Sequence, residues 1–189
     1  MRYAIPAVIF AGGRSLRMGE DKTLLPFGGY STLAEYQYRR FSPLFSQCYL
    51  GVKHAKFDFD APLILDRYPQ HSPLAGLISA FESLKSKTLF ILPVDVPFLT
   101  EEIIENLIAR YTGEDAVIAR TGGKAQPLCG LYARTLLLAA KAQLARNDHK
   151  LGRLLERSET TYVDFEEDER FLNLNRPQEY EEALRLISS

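Results

Sequence analysis

The stretch Leu89-Phe-Ile-Leu-Pro-Val94 has no polar side chain on either face. A strand that turns one face to water alternates apolar and polar residues. One that is apolar throughout is covered on both faces, as strands are in a parallel sheet sandwiched by helices. Short apolar runs recur at 4–11, 47–52, 62–65, 88–94, 116–119 and 127–132. Longer stretches with helical spacing lie between and after them, at 32–45, 74–84, 101–111, 134–144, 151–157 and 177–187. This alternation predicts an α/β fold, a three-layer sandwich around a mostly parallel sheet. Its 189 residues suit a single domain with a full core.

Two helix starts are signalled directly. Thr100 precedes Glu101-Glu102, and early acids suit the helix dipole. Pro177, after Asn175-Arg176, fits the first helical position, where a missing N–H costs nothing.

The run Ile5 to Phe10 opens into Phe10-Ala-Gly-Gly-Arg-Ser-Leu-Arg-Met-Gly-Glu-Asp-Lys22, where three glycines, two arginines and a lysine fall within thirteen residues. A strand leading into such a loop can bring backbone N–H groups and cations to a phosphate chain. It is not a P-loop, because Glu20 and Asp21 separate Gly19 from Lys22-Thr23. It is not the dinucleotide fingerprint either, since Gly12 and Gly13 are adjacent and the next glycine is Gly19. The spacing leaves a phosphate loop of a third kind or a glycine-rich solvated turn.

A net charge of −1 argues against non-specific nucleic-acid binding, which needs a basic surface excess. Cys48 and Cys129 are too few for a disulfide framework, and both sit in apolar runs as buried free thiols. The N-terminus lacks a signal-peptide layout and no apolar run reaches the length of a bilayer span, so the expectation is a cytoplasmic protein without a membrane partner.

Chemistry is also expected at two further strand ends. Asp95 lies in Pro93-Val94-Asp95-Val96-Pro97, where a carboxylate between two prolines is either a Mg²⁺ ligand or a cap or turn residue. In Asp66-Arg-Tyr-Pro-Gln-His-Ser-Pro-Leu-Ala-Gly76, Ser72 and Pro73 begin a helix, and Ala75 and Gly76 allow close approach at its N-terminus. His54, His71 and His149 stand apart from any nucleophile at motif spacing and are surface or structural by default, although His71 could serve as an acid or base. No G-x-S-x-G is present to support an acyl-transfer triad.

Read together, these segments resemble the molybdenum cofactor guanylyltransferases, within the nucleotidyltransferases built on a Rossmann-like sheet. The first stretch is similar to that family's L-A-G-G-x-S-x-R-M-G-x-D-K, with Phe10 for the leading leucine. Asp66 through Ser72-Pro-Leu-Ala-Gly76 resembles D…G-P-L-A-G, with Ser72 for the glycine. Pro93 to Pro97 resembles P-x-D-x-P, and Asn173-Leu-Asn-Arg-Pro177 resembles N-x-N-T-P, with Arg176 for the threonine.

The resemblance implies transfer of GMP from GTP to the molybdopterin cofactor, with release of pyrophosphate. It implies an N-terminal nucleotide part and a C-terminal cofactor part. Phe10, Ala11, Gly12, Gly13, Arg17, Lys22, Asp66, Gly76 and Asp95 would face the nucleotide, with Lys22 and Asp95 catalytic and Asp95 holding Mg²⁺. Asn173 and Asn175 would face the pterin; from the residues alone they could equally form an Asx turn before the last helix. Proteins that deliver the cofactor, and acceptor molybdoenzymes, are the partners such a reaction could have. Where the family often has Asn-x-Asn after the second strand, this chain has Gly51-Val-Lys53, and Lys53 could reach a phosphate. The competing expectations are a CTP- or sugar-phosphate-activating relative, and a nucleotide-binding regulatory protein without turnover.

Overall fold

The computed structural model describes residues 3–12, 21–69 and 72–188. These form a seven-stranded sheet from β1 (Ala7–Phe10), β2 (Cys48–Val52), β3 (Leu63–Leu65), β4 (Thr88–Pro93), β5 (Ala116–Thr121), β6 (Lys124–Ala133) and β7 (Thr160–Phe165). The helices are α1 (Leu33–Phe41), α2 (Pro73–Ser83), α3 (Glu101–Ala109), α4 (Leu136–Ala145), α5 (Leu151–Glu156) and α6 (Pro177–Ser188). The strand order is β3-β2-β1-β4-β6-β5-β7. β6 runs antiparallel to both its neighbours, and the other pairings are parallel.

The doubly apolar strands do what their sequence requires. Ala7, Ile9, Phe90, Leu92, Val117 and Ala119 enter a core layer with Leu33, Phe41, Ile103, Leu107 and Ala183 of α1, α3 and α6. Val8, Leu89, Ile91, Ala116 and Ile118 enter a second layer with Leu74, Ile78, Leu136, Ala140 and Leu154 of α2, α4 and α5. Consecutive residues of one strand thus feed opposite layers, and the expected three-layer sandwich is present.

Three boundaries differ from the sequence reading. The first helix ends at Phe41 rather than 45, because Pro43 has no N–H with which to continue it. The run at 127–132 is the second half of a longer strand, β6, joined to β5 by a tight turn. β5 carries an irregularity between Ile118 and Ala119 opposite this strand. β7 was not expected: it is an edge strand whose residues all remain partly exposed, so Thr160-Thr-Tyr-Val-Asp-Phe165 has no continuous apolar signal.

The helix starts follow the sequence. Ser72 caps α2 through its hydroxyl, which accepts from Ala75 N at 3.2 Å, with Pro73 first in the helix. Thr100 occupies the N-cap of α3, but its side chain makes no cap bond, which leaves the two glutamates to serve the helix end. Cys48 and Cys129 are buried free thiols, and burial pushes both up to about 12.

Candidate active site

The order β3-β2-β1-β4 brings four parallel carboxyl ends side by side. Asp66 follows β3, Lys53 follows β2, Gly12 lies past β1 and Asp95 lies past β4. Ligands of open α/β sheets sit at this edge.

At the β4 end a cation joins two distant segments. Lys22, on the one-turn 3-10 helix Lys22–Leu24, places its Nζ 2.5 Å from Asp95 Oδ2 and 3.1 Å from Asn175 Oδ1. The Lys22 and Asp95 side chains are 15% and 17% exposed, so water screens the pair only partly. The backbone reinforces this junction, for Leu174 N donates to the Asp95 carbonyl at 2.8 Å. Lys22, Asp95 and Asn175 are therefore brought together. Asn173 is not part of this bond network: its Oδ1 is buried without a partner among the described residues.

Asp21 anchors the helix that carries Lys22. Its Oδ1 accepts from Thr23 N at 3.1 Å and Thr23 Oγ1 at 2.7 Å, and Lys56 Nζ lies 2.6 Å from Oδ2. Burial alone would raise the Asp21 carboxyl, but the bonds from Lys56 and Thr23 outweigh it and hold it below the usual range.

At the β3 end Asp66 is enclosed. Lys53 Nζ sits 3.2 Å from Oδ2 and also donates to the Tyr68 carbonyl, while Oδ1 accepts from Tyr68 N at 3.1 Å and Ser79 Oγ at 3.0 Å. Three of the roughly four acceptor sites of the carboxylate are thus in use. Lys53, expected to be able to reach a phosphate, pairs with Asp66 here.

Past β1, Ala11 is buried and its N–H donates to Gly51 O at 3.0 Å, so that amide belongs to the sheet. Gly12 is exposed. Phe10 packs on α2 at Gly76, where a Cβ would lie 3.1 Å from the ring, so any side chain there would require the ring to give by a few tenths of an ångström. Gly13, Arg17 and the remainder of the motif through Glu20 lie outside the described residues, as does His71.

A match to the MobA-like NTP transferase domain spans residues 7–161. The chain belongs to the MobA-like NTP transferase family. It is 36% identical to the molybdenum cofactor guanylyltransferase of Campylobacter jejuni strain 81116, over 92% of each chain. It is 32% identical to the Helicobacter pylori G27 protein of that description, over 97% of this chain and 93% of the relative. Among solved structures, the molybdopterin-guanine dinucleotide biosynthesis protein A of Archaeoglobus fulgidus superposes with a TM-score of 0.84 at 23% identity, covering 97% of this chain and 99% of that one. The 2-C-methyl-D-erythritol 4-phosphate cytidylyltransferase of Thermus thermophilus shares the fold, with a TM-score of 0.73 at 15% identity and coverage of 99% and 100%.

Within this MobA-like nucleotidyltransferase, the described residues hold no cluster of three metal-ligating side chains. A lone carboxylate suits Mg²⁺, which takes one or two protein carboxylates and completes its shell with water and substrate phosphates. Asp95 already holds a cationic group, the Lys22 ammonium, so its carboxylate is placed to accept positive charge.

Sequence motifs did not point to Gln37, Arg40, Lys56 or Ser79, all of which hold the site from behind. Gln37 alone had a visible signal. It is a polar residue four positions from both Leu33 and Phe41 on the buried face of α1.

Proposed function

We propose that the protein transfers GMP from GTP to the terminal phosphate of molybdenum-loaded molybdopterin, giving the guanine dinucleotide cofactor and pyrophosphate. The observation that carries this reading is the junction of Lys22, Asp95 and Asn175. It joins the nucleotide motif, the β4 carboxylate and the C-terminal Asn-Leu-Asn segment at one point. The names of the curated relatives support the same substrates.

A phosphate oxygen of the pterin attacks the α-phosphorus of GTP in line. The new O–P bond forms as the bond from the α-phosphorus to the bridging oxygen breaks, and pyrophosphate leaves with that electron pair. No covalent nucleophile on the protein is needed, so positioning and charge neutralisation carry the rate. Lys22 swings its ammonium from Asp95 to the phosphates. Gly12 and the loop that follows it, through Gly13 and Arg17, cradle the nucleotide, with Gly76 at the facing helix start. Asn175 orients Lys22, and Asn173 offers its unpartnered oxygen to the acceptor. Asp95, together with substrate phosphates, would hold Mg²⁺, which would neutralise the charge that builds on the leaving group.

No helix among the described residues is long and apolar enough to cross a membrane. The proposal places the reaction in the cytoplasm.

One observation weakens the guanine assignment and makes CTP on the same cofactor the second reading to test: Asp66, assigned to the guanine nucleotide by resemblance, is largely engaged by Lys53, Ser79 and Tyr68. A pyrophosphate-release assay with purified cofactor and each nucleotide in turn tests both. Release with GTP alone is expected. Release with CTP and none with GTP overturns the guanine assignment, and nucleotide binding with no release overturns the transferase.

A further inference from the structure

The segment that presents Asp95 has an unusual backbone balance. Pro93 and Pro97 lack N–H groups, so the turn from β4 to α3 carries more carbonyl acceptors than it has donors. Those carbonyls are satisfied largely from outside. The Asp95 carbonyl accepts from Leu174 N. Val96 O also accepts from Leu99 N at 3.5 Å within the turn, and two side chains of α1 supply donors to the carbonyls of Pro93, Val94, Val96, Pro97 and Leu99.

Gln37 is fully buried, and its Nε2 lies 2.9 Å from Val96 O, 3.3 Å from Pro93 O and 3.4 Å from Val94 O. Arg40, one turn on, donates through Nη1 to Pro97 O and through Nη2 to Leu99 O at 2.8 Å. Arg40 Nη1 also lies 3.1 Å from Gln37 Oε1, which fixes the amide so that its NH₂ faces the loop. The guanidinium is flanked by the rings of Tyr36 and Phe41, 5.1 and 5.0 Å to the centroids. The two N–H groups of this one amide are thus shared among three carbonyls on the two sides of Asp95, with Val96 O the nearest.

We propose that Gln37 and Arg40 are positioning residues for the metal step: they fix the backbone on either side of Asp95 so that its carboxylate meets the metal and the phosphates in one geometry. Neither touches substrate. This rests on the proposed nucleotidyl transfer and adds what holds its metal ligand. A core polar residue kept only for packing would be replaceable by an apolar one of the same shape. A positioning residue would not, because a shift of about 1 Å in a reacting group costs on the order of 100-fold in rate.

The test uses the full chain with Gln37→Met and, separately, Arg40→Met and Arg40→Lys. At saturating GTP and cofactor, kcat of both methionine variants is expected to fall about 10- to 100-fold. The half-saturating Mg²⁺ should rise severalfold, while KM for GTP stays within about twofold. Arg40→Lys, which keeps the charge on a single donor nitrogen but loses the planar fork, should recover part of kcat. Mn²⁺ binding in the presence of GTP, followed by electron paramagnetic resonance, should weaken by the same factor as Mg²⁺ half-saturation. Variants that melt earlier yet keep kcat and metal affinity overturn the proposal and leave a structural role only. If the unsubstituted chain releases no pyrophosphate from GTP, the transferase reading fails on its own. The clamp is then judged by Mn²⁺ binding with whichever nucleotide raises the melting temperature: equal affinity in wild type and variants overturns it, weaker affinity upholds it. Should Gln37→Met fail to fold, Arg40→Met gives the same readouts from a partly exposed position.

Discussion

Lys22 and Asp95 each face two claims on their charge. The lysine sits on Asp95 Oδ2, so under the proposed mechanism metal and lysine would compete for that carboxylate until nucleotide phosphates draw the ammonium away. Lys22→Gln should therefore strengthen Mn²⁺ binding severalfold when no nucleotide is present, while slowing transfer by about 10²-fold, the scale of one lost transition-state contact. Isothermal titration without nucleotide, beside a steady-state assay, measures the two opposed effects. Asp95→Asn should keep the fold and abolish transfer, and unchanged activity would remove Asp95 from the mechanism. Asp21 makes a prediction in pH. Its folded carboxyl is held low, so the stabilisation it provides is fully present above the unfolded value near ~4 and disappears as pH falls through the folded value. The melting temperature of Asp21→Asn should lie below wild type at neutral pH, and the gap should narrow below about pH 4. A constant gap across that range would place the effect elsewhere.

Among the elements, the start of α6 shows how a departure in sequence is absorbed. Arg176 stands at the cap position, where the resembling family's pattern has a threonine. Glu179, at the third helical position, supplies the reciprocal half of a capping box, its Oε2 accepting from Asn175 N at 2.7 Å and Arg176 N at 2.8 Å. Because Asn175 also meets Lys22, the cap bears on the site. Glu179→Ala should cost about 1 kcal/mol in denaturant unfolding and raise KM for the cofactor more than for GTP. Pro177 made this helix start readable in the sequence, yet Glu179's part in it was not. The same split runs through the site. Lys22 stands in a loop whose residue types point to phosphate, Asp95 at a strand end open to a metal or a cap, and Asn175 was singled out by the resemblance alone. Gln37, Arg40 and Ser79 work largely on backbone groups, and a carbonyl looks alike in every sequence. β7 escaped for a different reason: a search for apolar runs selects strands covered on both faces and passes over one whose residues all stay partly exposed.

In the molecule as a whole, the sheet order was what turned separate motifs into one place. Doubly apolar strands foretold the two core layers. The antiparallel β6 was not foretold, since direction leaves no mark on composition. Its pairing with β5 depends on Gly130, where a Cβ would lie 2.4 Å from Val117 O and 2.7 Å from the Ile118 side chain. Gly130→Ala should cost about 3 kcal/mol, the upper range for overpacking, read as a fall in the denaturant midpoint with KM for GTP unchanged in the remaining folded protein.

The bond from Leu174 to the Asp95 carbonyl lies beyond the stretch that matches the family domain, which stops at residue 161. During synthesis the glycine-rich loop, Lys22 and Asp95 all leave the ribosome well before the segment that ties them together. A chain halted short of residue 173 holds the nucleotide motifs and no finished site. The proposed site can close only after the segment at 173–175 has emerged and folded back onto β4.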